Sequence, residues 1–138
     1  MSQNEEFLNA NGVLESVPSR IDRSLYNYDP GYMTPGMIWY RGSRYTEFKY
    51  LLKEGVLHRF EFSSQKTTWL YDGIKFSEGR LVRGNSTVPQ SSIVETQPEL
   101  SPQFVNIFYF DLSVLDRIKD YEVMYVTSEL RRAWARRS

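Results

Sequence analysis

Three side chains stand where chemistry could be done. Arg41 closes the run "MIWYR", Ser63 is followed by Ser64 at the end of "VLHRFEFSS", and Glu122 lies in "KDYEVMYV". An arginine after an apolar segment offers planar, charge-assisted donors to phosphate or carboxylate oxygens. A carboxylate among apolar neighbours sits at a sheet edge, is paired, or stands in a cleft where its charge is used. Quieter assignments exist for the same residues. Arg41 could pair with Glu47 or Glu61, the two serines could start a turn, and Glu122 could line a sheet edge.

Other chemistries find less support. His58 is the single histidine, so any Ser-His-Asp arrangement has one possible base. It lies within a predicted strand with Phe60 and Phe62 continuing its face, as a structural histidine would. The absence of cysteine removes disulfides, thiolate metal sites and cysteine nucleophiles. One histidine and no cysteine leave carboxylate oxygens, which suit magnesium or calcium rather than zinc, and no metal is expected. "GIKFSEGRLVRG" lacks the spacing and the Lys-Ser/Thr pair of a phosphate loop. Arg131, Arg132, Arg136 and Arg137 surround Trp134 near the C-terminus and could hold phosphate while a base stacks. Cations at a helix C-terminus, with Trp134 packed on the domain, are the plainer explanation.

The 138 residues carry 17 basic and 17 acidic side chains, so no global charge draws the chain to nucleic acid or membrane. The length suits one domain with a real core. Ten Tyr, eight Phe and three Trp make that core aromatic. The polar, acidic N-terminus does not read as a signal peptide, and no apolar stretch is long enough to span a bilayer. The expectation is a cytoplasmic protein.

These residues need elements to position them. Residues 1–35, broken by Asn11-Gly12, Pro18, Asp29-Pro30-Gly31 and Pro35-Gly36, read as an arm or lead-in whose Tyr26, Tyr28 and Tyr32 could dock. Residues 36–138 read as a single α+β domain. A strand is expected over Met37–Tyr40. A helix capped by Ser43 and stopped by Gly55 is expected next, from the spacing of Tyr45, Phe48, Leu51 and Leu52. A strand follows from Val56, with Leu57, Arg59 and Glu61 on one face. Asp72-Gly73 predicts a hairpin. A long loop near 84–103 carries a short strand over Ser92–Thr96. Beyond it, Phe104–Phe110 reads as a strand, Asp111 as the cap of a short helix through Ile118, Tyr121–Val126 as a strand, and Thr127 or Ser128 as the cap of a terminal helix. The sum is an α+β fold of short, mostly antiparallel strands forming a cleft, with two or three short helices.

The order of Tyr40-Arg41-Gly42, Phe62-Ser63-Ser64 and Asp120-Tyr121-Glu122 resembles the arginine-serine-glutamate pattern of small mono-ADP-ribosyltransferases of phage and bacterial toxin type, over about Ile38 to Leu130. The resemblance implies NAD as substrate. Arg41 would hold its phosphates or ribose, with Gly42 leaving room for close approach. Ser63, with Ser64 beside it, would brace the cleft. Glu122 would bind the nicotinamide ribose and stabilise the positive charge that develops as nicotinamide leaves. Tyr71, Trp69 or Tyr40 would stack on nicotinamide, and the acceptor would be a protein or nucleic acid. The serine motif is Phe-Ser-Ser-Gln rather than Ser-Thr-Ser, a hairpin stands where the family has a helix, and the first acidic position is Asp120. The alternative is a non-enzymatic phage accessory or assembly protein acting through an aromatic-rich protein-binding surface.

Overall fold

The protein is described from a computed structural model covering residues 6–8, 14–20, 36–42, 46–64, 68–82, 93–97 and 99–137. Short strands β1 (Glu6–Leu8) and β2 (Leu14–Ser16) pair with each other. Seven further strands form one antiparallel meander in sequence order: β3 (Ser19–Arg20), β4 (Ile38–Arg41), β5 (Glu47–Lys53), β6 (Val56–Ser63), β7 (Thr68–Tyr71), β8 (Phe76–Val82) and β9 (Ile93–Thr96). Two helices follow, α1 (Phe104–Leu115) and α2 (Tyr121–Arg136). The expected α+β class with short antiparallel strands is what the chain adopts. The lead-in also supplies β3, which hydrogen-bonds to β4 at the sheet edge.

Cross-strand register sorts the side chains into two faces. Tyr40, Phe48, Phe62 and Trp69 fall in one row and Tyr50, Phe60, Tyr71 and Phe76 in the next. Their rings stack along the sheet, with Tyr40 and Phe48 centroids 4.7 Å apart. Both helices cover this face. From α1, Phe104, Phe108, Leu112 and Leu115 are buried, and from α2, Val123, Val126, Leu130 and Ala133. Each of these side chains other than Ala133 contributes roughly 1.5–3 kcal/mol on leaving water.

Several sequence expectations change. The helix expected after Ser43 is strand β5, because Phe48 and Tyr50 face the helices while Glu47 and Lys49 face the other way. With both faces buried, the period of two is masked by apolar spacing that also fits a helix. Glu54 and Gly55, at φ 53° and 76°, then form the two-residue turn joining β5 to β6. Gly55 ends a strand, not a helix.

The strand expected over Phe104–Phe110 is α1. Its buried positions 104, 108, 111, 112 and 115 keep helical spacing despite aromatic and β-branched residues. Asp111 therefore lies inside the helix rather than capping one. The strand expected over Tyr121–Val126 is the first half of α2. Its cap is Asp120, whose carboxylate accepts from the backbone N–H groups of Glu122 and Val123 at 2.9 and 3.0 Å. Thr127 sits mid-helix and donates to the Val123 carbonyl at 2.8 Å.

In β6 the register shifts opposite Leu51 and Leu52, turning Leu57 inward with Phe60 and Phe62 and leaving His58 exposed. The Asp72-Gly73 hairpin forms as expected, with Asp72 accepting from Ile74 and Lys75 N–H groups, both at 2.9 Å. The strand at Ile93–Thr96 is also present. Tyr26, Tyr28, Tyr32, Ser43, Tyr45 and residues 84–92 of the expected loop lie outside the described residues. Among the described residues no helix is long and apolar enough to cross a membrane.

Candidate functional site

Strand pairing decides which of the singled-out residues meet. Arg41 lies opposite Glu47, Glu47 opposite Ser63, and Ser63 opposite Thr68, so these four form one row on the face away from the helices. Trp39, Lys49, Glu61, Leu70 and Ser77 make the adjacent row. Glu47, Lys49, Glu61, Ser63, Thr68 and Ser77 are all buried, an unusual density of polar groups for a sheet interior.

Specific contacts hold Glu47, Lys49 and Glu61, although Glu61 Oε1 has an ion-pair neighbour and no hydrogen-bond partner among the described residues. Trp39 Nε1 donates to Glu47 Oε2 at 2.6 Å. Lys49 Nζ stands 3.3 Å from Glu61 Oε1, and Arg59 Nε donates to Glu61 Oε2 at 2.6 Å. The Arg41 guanidinium lies over the Trp39 ring, 5.8 Å from its centroid. A side chain on Gly42 would meet Pro18 at 3.2 Å, so the close approach this glycine permits is that of the chain's own backbone. Ser64 follows β6 and is half-buried.

Glu122 stands on the other face. It occupies the first turn of α2, and its Oε1 accepts from the Tyr50 hydroxyl at 2.6 Å. Burial, then this hydrogen bond and the carboxylate charge, raise the Tyr50 pKa well above the usual phenol value. Burial and the Asp120 charge also raise Tyr40, against the opposing charge of Arg20. The Tyr50–Glu122 contact thus ties the start of α2 to the centre of the sheet. Arg41 and Ser63 are brought near a common carboxylate, Glu47, while Glu122 is separated from them by the sheet. Tyr71, Trp69 and Tyr40, the three candidates for stacking on nicotinamide, all face the helices and pack there: Tyr71 against Phe76 at 4.9 Å, Trp69 against Phe108 at 5.3 Å, and Tyr40 against Phe48.

The terminal arginines are largely engaged. Arg131 binds Asp116 through two nitrogens at 2.6 and 3.2 Å, a pairing that raises its pKa. Arg132 binds Glu129 at 2.9 Å, and Arg137 lies 3.8 Å from the Trp134 ring centroid. Trp134 itself packs on Phe108 and Phe104, with centroids 5.1 and 5.4 Å away.

Two features escaped sequence reasoning. One is the buried Glu47-Lys49-Glu61 set, whose only trace is charge alternating with aromatics in "TEFKYLLK" and "RFEF". The other is the outer surface of the helices. An open groove of about 610 Å³ runs between the end of α1, the 116–120 link and α2, lined by Leu115, Ile118, Met124 and the Asp116–Arg131 pair. Tyr121 at its rim is 90% exposed, and Phe110, Met124 and Tyr109 are exposed on the same two helices. Helical spacing in α2 foretells this surface only once Tyr121–Val126 is read as helix. Comparison with protein-family models, with curated proteins and with solved structures gives no match.

Proposed function

We propose that this chain is a protein-binding module, without catalytic machinery of its own, that engages a polypeptide partner through the outer face of α1 and α2. The observation that carries the reading is that both helices, having already buried a full apolar face on the sheet, still expose Tyr121 and Met124 at an open groove and Tyr109 and Phe110 elsewhere on α1. Exposed aromatic and methionine side chains of this kind are enriched in protein contacts.

Charge favours an apolar polypeptide segment as the occupant. Asp116 and Arg131 neutralise each other at the groove wall, and the Asp120 carboxylate is held by backbone N–H groups of α2. A partner presenting aliphatic or aromatic anchors matches such a surface better than a polyanion, which would need unpaired cations. A role in phage assembly is one setting for such a module. An NAD-dependent transferase would need Arg41, Ser63 and Glu122 around one substrate, and the sheet lies between the first two and the third.

The test is selection of peptides from a random displayed library against the purified protein, followed by Tyr121→Ser and Met124→Ser in one variant. Enrichment of sequences with aliphatic or aromatic anchors, with binding at least tenfold weaker in the folded variant, is expected. Equal binding by the variant would remove the proposed surface. In a parallel arm, nicotinamide release from NAD that is lost in Glu122→Ala would overturn the module reading in favour of a transferase.

A further inference from the structure

Of the three side-chain hydrogen bonds that pin the helices to the sheet or its β5–β6 turn among the described residues, one is made by a deeply buried carboxyl. Asp111, in the middle of α1 and 4% exposed, accepts from Trp69 Nε1 on β7 at 2.8 Å. Tyr50–Glu122 and the Tyr125 hydroxyl bond to the Gly55 carbonyl, at 2.6 and 2.5 Å, hold α2. Around Trp69 stand Phe60, Phe62, Phe76, Phe104 and Phe108. The carboxyl therefore sits in an aromatic core.

No cation answers it among the described residues. On the elements packed around Asp111, the ionisable groups whose side chains are described are Tyr109 on α1, Tyr71 on β7, Glu78 on β8, and Tyr121, Glu122, Tyr125, Glu129, Arg131, Arg132 and Arg136 on α2, and none of them hydrogen-bonds or ion-pairs with the Asp111 carboxyl. Glu78 takes the Ser101 N–H and hydroxyl, Glu122 takes Tyr50, Glu129 takes Arg132, and Arg131 is held by Asp116. The bond from Trp69 is the sole hydrogen bond to the Asp111 side chain among the described residues. One indole N–H does not offset the loss of hydration of a full negative charge in such a site.

We propose that the Asp111–Trp69 contact is a pH-responsive latch: the neutral carboxyl is the docked form of α1, and its ionisation loosens α1 from the sheet. Burial pushes the Asp111 carboxyl up to about 7, against the opposing Trp69 hydrogen bond, which places the change near neutrality. Because α1 also carries Tyr109 and Phe110 outward, a rigid outer face is presented when Asp111 is neutral. That last consequence rests on the proposed function; the latch does not.

The test uses the full chain without any partner. The Asp111 carboxyl carbon is followed by NMR from pH 4 to 9, and amide exchange of α1 is measured in wild type and Asp111→Asn, corrected for intrinsic rates. A carboxyl titration within about one unit of pH 7, with α1 protection falling at least tenfold between pH 4 and pH 7 and levelling above it, and remaining flat in the variant, is expected. Titration near the ordinary aspartate value overturns the latch, as does α1 protection with the same pH dependence in both proteins. The carbon titration needs no variant, so the proposal stays testable should Asp111→Asn fail to fold.

Discussion

The buried charges on the far face of the sheet lend themselves to a quantitative test. Lys49 and Glu61 side chains are 3% and 6% exposed, and Glu61 takes Lys49 on one oxygen and Arg59 on the other. The two partners are not equivalent, since Arg59 keeps about a third of its side chain in solvent. Replacing Glu61 by Leu strands Lys49 beside a newly apolar neighbour, a loss of about 3 kcal/mol, at the lower end for broken buried pairs because Lys49 has a further contact. Replacing Lys49 by Met leaves Glu61 still bound by Arg59 at 2.6 Å, so the loss is smaller, about 1–2 kcal/mol. In the double variant the buried pair is gone and Arg59 turns to water, which brings stability back to within about 1 kcal/mol of wild type. Urea unfolding at pH 7, followed by tryptophan fluorescence with the slope checked for constancy, measures all three. A Lys49→Met loss as large as that of Glu61→Leu would refute the reasoning, because Arg59 then does not compensate Glu61, and so would a double-variant loss equal to the sum, because the charges then do not interact as a buried pair.

Three further outcomes follow from particular contacts. Asp120→Ala removes the cap of α2 and lowers stability by about 1 kcal/mol in the same unfolding assay, whereas Asp120→Asn retains most of it. Tyr50→Phe deletes the donor to Glu122 and costs about 0.5–1.5 kcal/mol, while the reciprocal Glu122→Gln, which keeps an acceptor, costs less; a larger loss from Glu122→Gln would contradict a bracing role. Asp111 is raised from 3.8 to about 7 in the fold, so its contribution is fully present below pH 4, declines as pH rises to about 7, and is then gone. Asp111→Asn therefore gains on wild type by up to ~4 kcal/mol at pH 8 and by little at pH 4, with melting curves at the two values as the check.

Much of the sheet was legible because local chemistry and tertiary structure agree there. Asp72-Gly73 makes its hairpin through the aspartate's own hydrogen bonds, and β6 and the short strand at Ile93–Thr96 lie where turn residues bracket β-prone runs. The C-terminal third misled for the opposite reason. Phe104–Phe110 and Tyr121–Val126 are rich in residues that favour strands, yet Asp120 caps the second segment and both bury positions at helical spacing against one aromatic sheet. That spacing was present in the sequence and was outweighed by propensity, the weaker of the two signals.

The candidate site divides along the same line. The sequence by itself determined the chemical inventory: one histidine, no cysteine, balanced charge, an aromatic core, and the identities of Arg41, Ser63 and Glu122. Only the tertiary structure decided which of them meet. Neighbouring strand residues point to opposite faces, so a single strand position puts Tyr40 under the helices and Arg41 on the far side. The helix that carries Glu122 then brings it to Tyr50 rather than to Arg41, because its apolar stripe can be buried only on the aromatic face.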